Sequence, residues 1–194
     1  MDPPRPTPPL VLQIASYLQP KPREAPYAAS TLPGARLPHR QLRVLAPGSL
    51  GLGARGPPPT STVDLPAAAG AGSLLLLLAG GPRLEAWLQA AETAAAATGV
   101  AIHPVVRLAG LASERRPPRG SAAAVVEELG WEEGVEAASG GSRGWYWAQD
   151  LGPEAALLVR PDGHIAWRRR ALPGEGEGGA AAALEAAVHR VFGQ

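Results

Sequence analysis

Apolar and polar positions fall into regular patterns from about residue 60 onward. Ser73 to Leu78 is a continuous apolar run, the pattern of a strand buried on both faces. Gly80-Gly81-Pro82 breaks it, and Pro82 suits the first turn of a helix. Leu84, Trp87, Leu88 and Ala91 then recur at helical spacing up to Thr98, with Gly99 as the stop. Val100 to Leu108 predicts a second strand, in which Pro104 argues for an edge or a bulge. Together these make a β-α-β unit, whose crossover is right-handed in nearly all proteins.

Around that unit the pattern is shorter-ranged. Thr60 to Leu65 is β-prone, and Ser121 is placed to cap a helix in which Ala124, Val125 and Leu129 share a face. Leu157 to Val159 and Ile165 to Arg168 flank Pro161-Asp162-Gly163. Proline sets φ, aspartate caps its own backbone and glycine takes φ > 0, so this stretch predicts a hairpin. Ile165 and Trp167 are expected to pack on one of its faces. A final helix would bury Leu184, Ala187, Val188 and Val191. The order β-α-β-(α)-β-β-α predicts an α/β fold of thioredoxin-like plan, a central mixed β-sheet flanked by helices. Residues 60–194 would form this domain. Residues 1–59, rich in Pro, Gly and Arg, read as a partly disordered arm that lies across something else. Within the arm, Val11 to Leu18 is too short to assign to helix or strand.

Composition removes function classes more than it adds them. A formal charge of +1 gives no field to draw nucleic acid or an anionic membrane. Lys21 is the only lysine, and with abundant Ala, Gly and Pro this reflects coding bias rather than arginine chosen for phosphate. No cysteine is present, which excludes disulfides, thiolate metal sites and thioredoxin-type redox chemistry, and fits a reducing, cytoplasmic setting. The proline-rich start is no signal peptide. Leu65 to Pro82 is uncharged, but Pro66, Gly70 and Gly72 interrupt it, so it reads as core rather than as a membrane span.

Several motifs carry a chemical suggestion. Gly51-Leu52-Gly53-Ala54-Arg55-Gly56 matches a dinucleotide fingerprint, yet Pro57-Pro58-Pro59 follows where the pyrophosphate-binding helix would have to open. Gly174 to Gly179 matches it too, with two glutamates that would repel phosphate. Gly140-Gly141-Ser142-Arg143-Gly144 has the form of a nucleophile elbow, which offers Ser142 as the nucleophile of a small serine hydrolase. Its surroundings lack the strand and helix an elbow needs. His39, His103, His164 and His189 show no metal-ligand spacing. Arg168-Arg169-Arg170 reads as a solvated strand end, and Trp145-Tyr146-Trp147 as core filling or, with the arm, as part of a protein-binding module.

Three stretches together resemble one family. Pro33-Gly34-Ala35-Arg36-Leu37-Pro38-His39 is similar to the PG-x-R-x-PH segment of FAD-dependent aromatic and polyketide hydroxylases, flavoprotein monooxygenases related to phenol hydroxylase. Ser61-Thr62-Val63-Asp64-Leu65 resembles their S-x-x-DL segment, and Leu158 to Arg168 their LVRPDG-x-x-AWR signature. Gln41, where the family usually has tryptophan, and Glu154, near a usual glycine, depart from the pattern. The resemblance covers the chain from about residue 27 and corresponds to the family's C-terminal thioredoxin-like domain. It implies Arg36, Pro38, His39, Asp64, Arg160, Pro161, Asp162, Gly163, Trp167 and Arg168 as structural signature residues, with no catalytic, cofactor-binding or metal-binding residue. FAD and NAD(P)H are implied for the parent family, neither being bound by this chain alone. A stand-alone or truncated domain is then expected, in contact with a flavin-binding monooxygenase subunit or with its own copies.

Overall fold

The computed structural model describes residues 30–50, 61–108, 121–129, 151–171 and 179–193. Six strands form one sheet: β1 (Leu42–Ala46), β2 (Leu74–Ala79), β3 (Ile102–Leu108), β4 (Ala124–Glu128), β5 (Ala156–Val159) and β6 (Ile165–Arg169). Their order is β1-β4-β3-β2-β5-β6. The three central strands run parallel, while β1, β5 and β6 pair antiparallel with their neighbours. The helices are α1 (Leu65–Ala69), α2 (Leu84–Thr98) and α3 (Gly179–Phe192). With β5 antiparallel beside β2 and both long helices on one face, this is the expected mixed-sheet, thioredoxin-like α/β plan.

The leucine run is the centre of it. Every residue of β2 is buried, because strands lie on both sides and packing covers both faces. Leu74, Leu76 and Leu78 face α2 and α3 in one core cluster, with Trp87, Leu184 and Val188. Leu75, Leu77 and Ala79 face the other way, with Leu37, Leu65 and Leu157. Helix α2 ends as expected: Gly99 adopts φ 69° and its N–H donates to the Ala95 carbonyl at 2.9 Å. Trp87 and Trp167 meet edge to face at 6.1 Å between ring centroids, a geometry worth about 1 kcal/mol beyond its buried area.

Four local expectations change. Residues 124–128 form strand β4 and not a helix: Ala123 and Val125 pack on one face, Ala124 and Val126 on the other. A segment buried on both sides between two strands suits its β-branched pair, and Ser121 Oγ caps only a turn, accepting from the Ala123 N–H at 3.1 Å. The β-prone run at 60–65 is instead a 3₁₀ turn, Thr62–Asp64, leading into α1. Ser61 Oγ accepts from the Val63 N–H, and Pro66 fits the first turn, so local capping outweighs β propensity.

Pro104 lies in an interior strand with regular pairing to β2, and β4 begins to pair only at Val105. The proline therefore occupies a local edge within a central strand. Ile165 and Trp167 lie on opposite faces. Leu158 opposes Trp167 while its neighbour Val159 opposes Ile165, so Ala166 is an extra residue, a bulge that reverses the alternation.

Within the stretch read as an arm, residues 42–46 supply strand β1 at the sheet edge. The 3₁₀ turn Gly48–Leu50 follows, and its glycine is constrained twice: φ is +53°, and an added Cβ would lie 2.3 Å from the Ala123 carbonyl carbon. Among the described residues, no helix is long and apolar enough to cross a membrane.

Burial predicts how unevenly the leucines matter. Leu76→Ala should lower the unfolding free energy by about 3 kcal/mol in urea titration, whereas Leu45→Ala, on the exposed side of β1, should change it by less than about 0.5 kcal/mol.

Candidate docking site

The hairpin turn is built as its residues demand. The Arg160 N–H donates to the His164 carbonyl and the Gly163 N–H to the Arg160 carbonyl, both at 2.9 Å, with Gly163 at φ +80°. Asp162 Oδ1 accepts from the His164 N–H at 3.0 Å and lies 3.2 Å from the ring Nδ1, while Oδ2 takes the Arg160 guanidinium. What little burial Asp162 has pushes its carboxyl upward. The His164 hydrogen bonds and the Arg160 charge outweigh this and hold the carboxyl below the usual carboxylate value.

Residues 34–37 run along this turn like a short added strand. The Gly34 N–H donates to the Ile165 carbonyl at 2.8 Å, the Ile165 N–H to the Ala35 carbonyl at 2.9 Å, and the Leu37 N–H to the Gly163 carbonyl at 2.8 Å. Arg36 thus pairs with His164 across an isolated bridge, its side chain exposed, while Leu37 and Pro38 are buried. The next residues are fastened to the second signature stretch. Thr62 Oγ1 donates to the Pro38 carbonyl at 2.5 Å and accepts from the Arg40 N–H at 2.9 Å, and the Thr62 N–H donates to the Arg40 carbonyl at 2.9 Å. Asp64, exposed, stands at the N-cap of α1 without a side-chain capping bond.

These three stretches, far apart in sequence, enclose one groove of about 360 Å³. Arg36 and Leu37 form one wall, Val63, Pro66 and Ala67 another, and the turn Pro161 to Gly163 the third. The lining is mostly apolar, with Arg36 and Asp162 at its polar margin. Among the described residues that line it, no nucleophile has a base beside it.

Comparison with known proteins identifies the fold's relatives. Residues 30–194 match the family described as aromatic-ring hydroxylase, C-terminal. The chain belongs to that family. Among solved structures, the flavin-dependent monooxygenase PieE, in complex with FAD and substrate, is 28% identical, with a TM-score of 0.50 over 91% of this chain. Aklavinone-11 hydroxylase, in a ternary complex with FAD and aklavinone, shares the fold at 24% identity, with a TM-score of 0.51 over 88%. The chain covers 23% of each of those proteins. No curated protein matches it.

Of the residues that the resemblance implies as a signature, Arg36, Pro161, Asp162 and Gly163 meet at the groove, and Pro38 and Asp64 adjoin it through the Thr62 region. His39 is exposed. Trp167 packs on the opposite side of the sheet against Trp87, and Arg168 Nη1 donates to Thr31 Oγ1 at 2.9 Å. Val63, Pro66 and Ala67 escape sequence reasoning because no chemical group marks them; only their position opposite the turn does. Ser142, the 51–56 glycines, Trp145 to Trp147, Arg115 to Arg119 and residues 174–178 lie outside the described residues.

The strand-to-helix turn after β2 is where a flavin pyrophosphate could meet a helix N-terminus, and the residues there do not fit one. A Cβ built on Gly81 would lie 2.0 Å from the Pro153 carbonyl oxygen, so the chain itself fills the space above the turn. Trp87 Nε1 donates to the Glu154 carbonyl at 2.9 Å, and the Glu154 carboxylate lies 3.8 Å from Arg83 Nε, so both groups at this turn are already engaged by the chain. The same turn, Gly80-Gly81-Pro82-Arg83, carries no thiol.

A second recess of about 220 Å³ contains His103, whose Nδ1 lies 3.0 Å from Ser49 Oγ. Burial pushes the His103 ring below its ordinary value. Glu92 lines the recess, but among the described residues no hydrogen bond joins it to the ring, so the serine–histidine contact lacks the third member of a relay. Nor do the described residues hold a cluster of three metal-ligating side chains.

On the same face of the sheet as the groove lies an ion pair that sequence gave no reason to expect. Arg107 on β3 and Glu128 on β4 are 1% and 9% exposed and hydrogen-bonded to each other, with Arg40 Nε 3.5 Å from Glu128 Oε1. Removing one member leaves a buried charge uncompensated. Glu128→Leu should therefore cost about 3–5 kcal/mol, and adding Arg107→Met should return part of that loss in a double-mutant cycle read by urea unfolding.

Asp162 gives a pH signature of known sign. A carboxyl depressed by folding contributes stability above its unfolded value, and that contribution is lost as pH falls through the lower folded value. A side-chain NMR titration should find Asp162 below the ordinary ~3.9, and Arg160→Ala should move it upward.

Proposed function

We propose that this chain is the structural and subunit-contact domain of an FAD-dependent aromatic hydroxylase, without catalysis of its own. The observation that carries this is the family match over residues 30–194, together with coverage of only 23% of a flavin-dependent monooxygenase. Flavin reduced by NAD(P)H would supply the oxygen chemistry from the flavin-binding part of such an enzyme, outside residues 30–194. The filled strand-to-helix turn at Gly81 supports that division of labour, since FAD finds no cradle there. The signature residues then act as structure: Gly163 and Asp162 shape the turn, Arg36 and Pro38 belong to the strip beside it, and Asp64 opens α1. Trp167 fills the core under α2, while Arg160, Arg168 and His39 complete the surface around the hairpin. A cytoplasmic setting suits a chain with no cysteine to oxidise.

The purified chain, incubated with excess FAD and desalted, should retain no flavin absorbance. Stoichiometric retention would overturn the assignment of flavin to another unit.

A further inference from the structure

We propose that the groove between Arg36, Val63, Ala67 and Pro161 is where the flavin-binding part of an aromatic-ring hydroxylase docks, seating an apolar side chain of that partner beside an acidic one. The assignment rests on the contact role proposed above and adds the surface on which the contact is made. Position favours it first. The matched family is the C-terminal part of its enzymes, and the match begins at residue 30, so whatever precedes this domain in such an enzyme is joined to it next to Thr31. From there the chain runs directly into the groove wall: Thr31 is held by Arg168, Gly34 by Ile165 and Leu37 by Gly163.

Exposed apolar surface gathers at the same place. Of the four large apolar side chains that stay exposed among the described residues, Val63 (45%) lines the groove and Leu32 (56%) lies in the turn leading into its wall. The other two are poorer sites. Leu45 is on the β1 edge, which is short, carries Arg43 and is interrupted by a register shift between Val44 and Ala46, devices that resist strand pairing. Phe192, at the end of α3, has no other exposed large apolar side chain beside it among the described residues.

The groove is also pre-organised. Its walls are tied by backbone and Thr62 hydrogen bonds, so a partner would order little on binding. Charge completes the complementarity. Asp162 is already engaged by Arg160 and His164, whereas the exposed Arg36 guanidinium makes no hydrogen bond among the described residues. A partner carboxylate beside the apolar contact would pair with it.

The test mixes the full chain with PieE lacking its C-terminal quarter, once circular dichroism and stoichiometric retained FAD show that this part folds alone, and reads binding by fluorescence anisotropy. The parent chain should bind; Val63→Asp and Arg36→Glu should each weaken binding at least tenfold, and Phe192→Asp should leave it unchanged. Both groove positions are exposed, and circular dichroism with urea midpoints checks that the variants fold. Groove variants that bind like the parent would overturn the groove assignment and leave the contact role standing. Absence of binding by the parent would overturn both. A dimer of the chain, seen by size exclusion and split by Val63→Asp, would make a second copy the occupant and overturn the proposal.

Discussion

The structure depends on one constraint: a strand of five consecutive leucines has to be covered on both faces. One face is met in the ordinary way, by two amphipathic helices whose small Ala positions let them pack against each other and against Trp87 and Trp167. The other face carries Leu75, Leu77, Leu157 and Val159 and is covered by α1 and by irregular chain, including Leu37 and Leu50. Hydrophobic burial is non-directional and accepts either solution. The polar backbone of irregular segments is less tolerant, because every buried N–H and C=O needs a partner.

That demand explains the hydrogen bonds of the 34–41 strip. It cannot join a helix, so it borrows acceptors and donors from the hairpin turn at 163–165 and from Thr62. The strip, the turn and the 3₁₀ segment are thereby locked together, and the groove is what remains between three segments that meet edge to edge. The buried Arg107–Glu128 pair belongs to the same face, beside Val105, Ala124 and Val126. Arg40 links it to the end of the strip.

The turn between β2 and α2 is the part of such a fold best placed to hold a charged ligand or a reactive thiol, and here it is closed by Pro153, Glu154 and the Trp87 indole. The Gly81 contact with the Pro153 carbonyl joins two halves of the sheet at a place where a ligand would have to separate them.

Strand β2, helix α2 with its glycine stop, the Pro161-Asp162-Gly163 hairpin and the last helix were legible in the residues, because each is decided by local periodicity or by the dihedral needs of a single glycine or proline. The family was legible too, from stretches whose residue types are unusual enough to identify without coordinates. Tertiary structure decided the rest. Residues 124–128 are compatible with a helix face until β1 and β3 flank them; strand β1 sits in Pro/Gly/Arg-rich chain without clear alternation or a turn signal to frame it; and the Ala166 bulge places Ile165 and Trp167 apart. The groove could not be read at all from sequence, since Arg36, Val63 and Pro161, 27 to 125 residues apart, meet only through hydrogen bonds between their segments, and long-range pairing leaves no periodic mark on the chain that makes it.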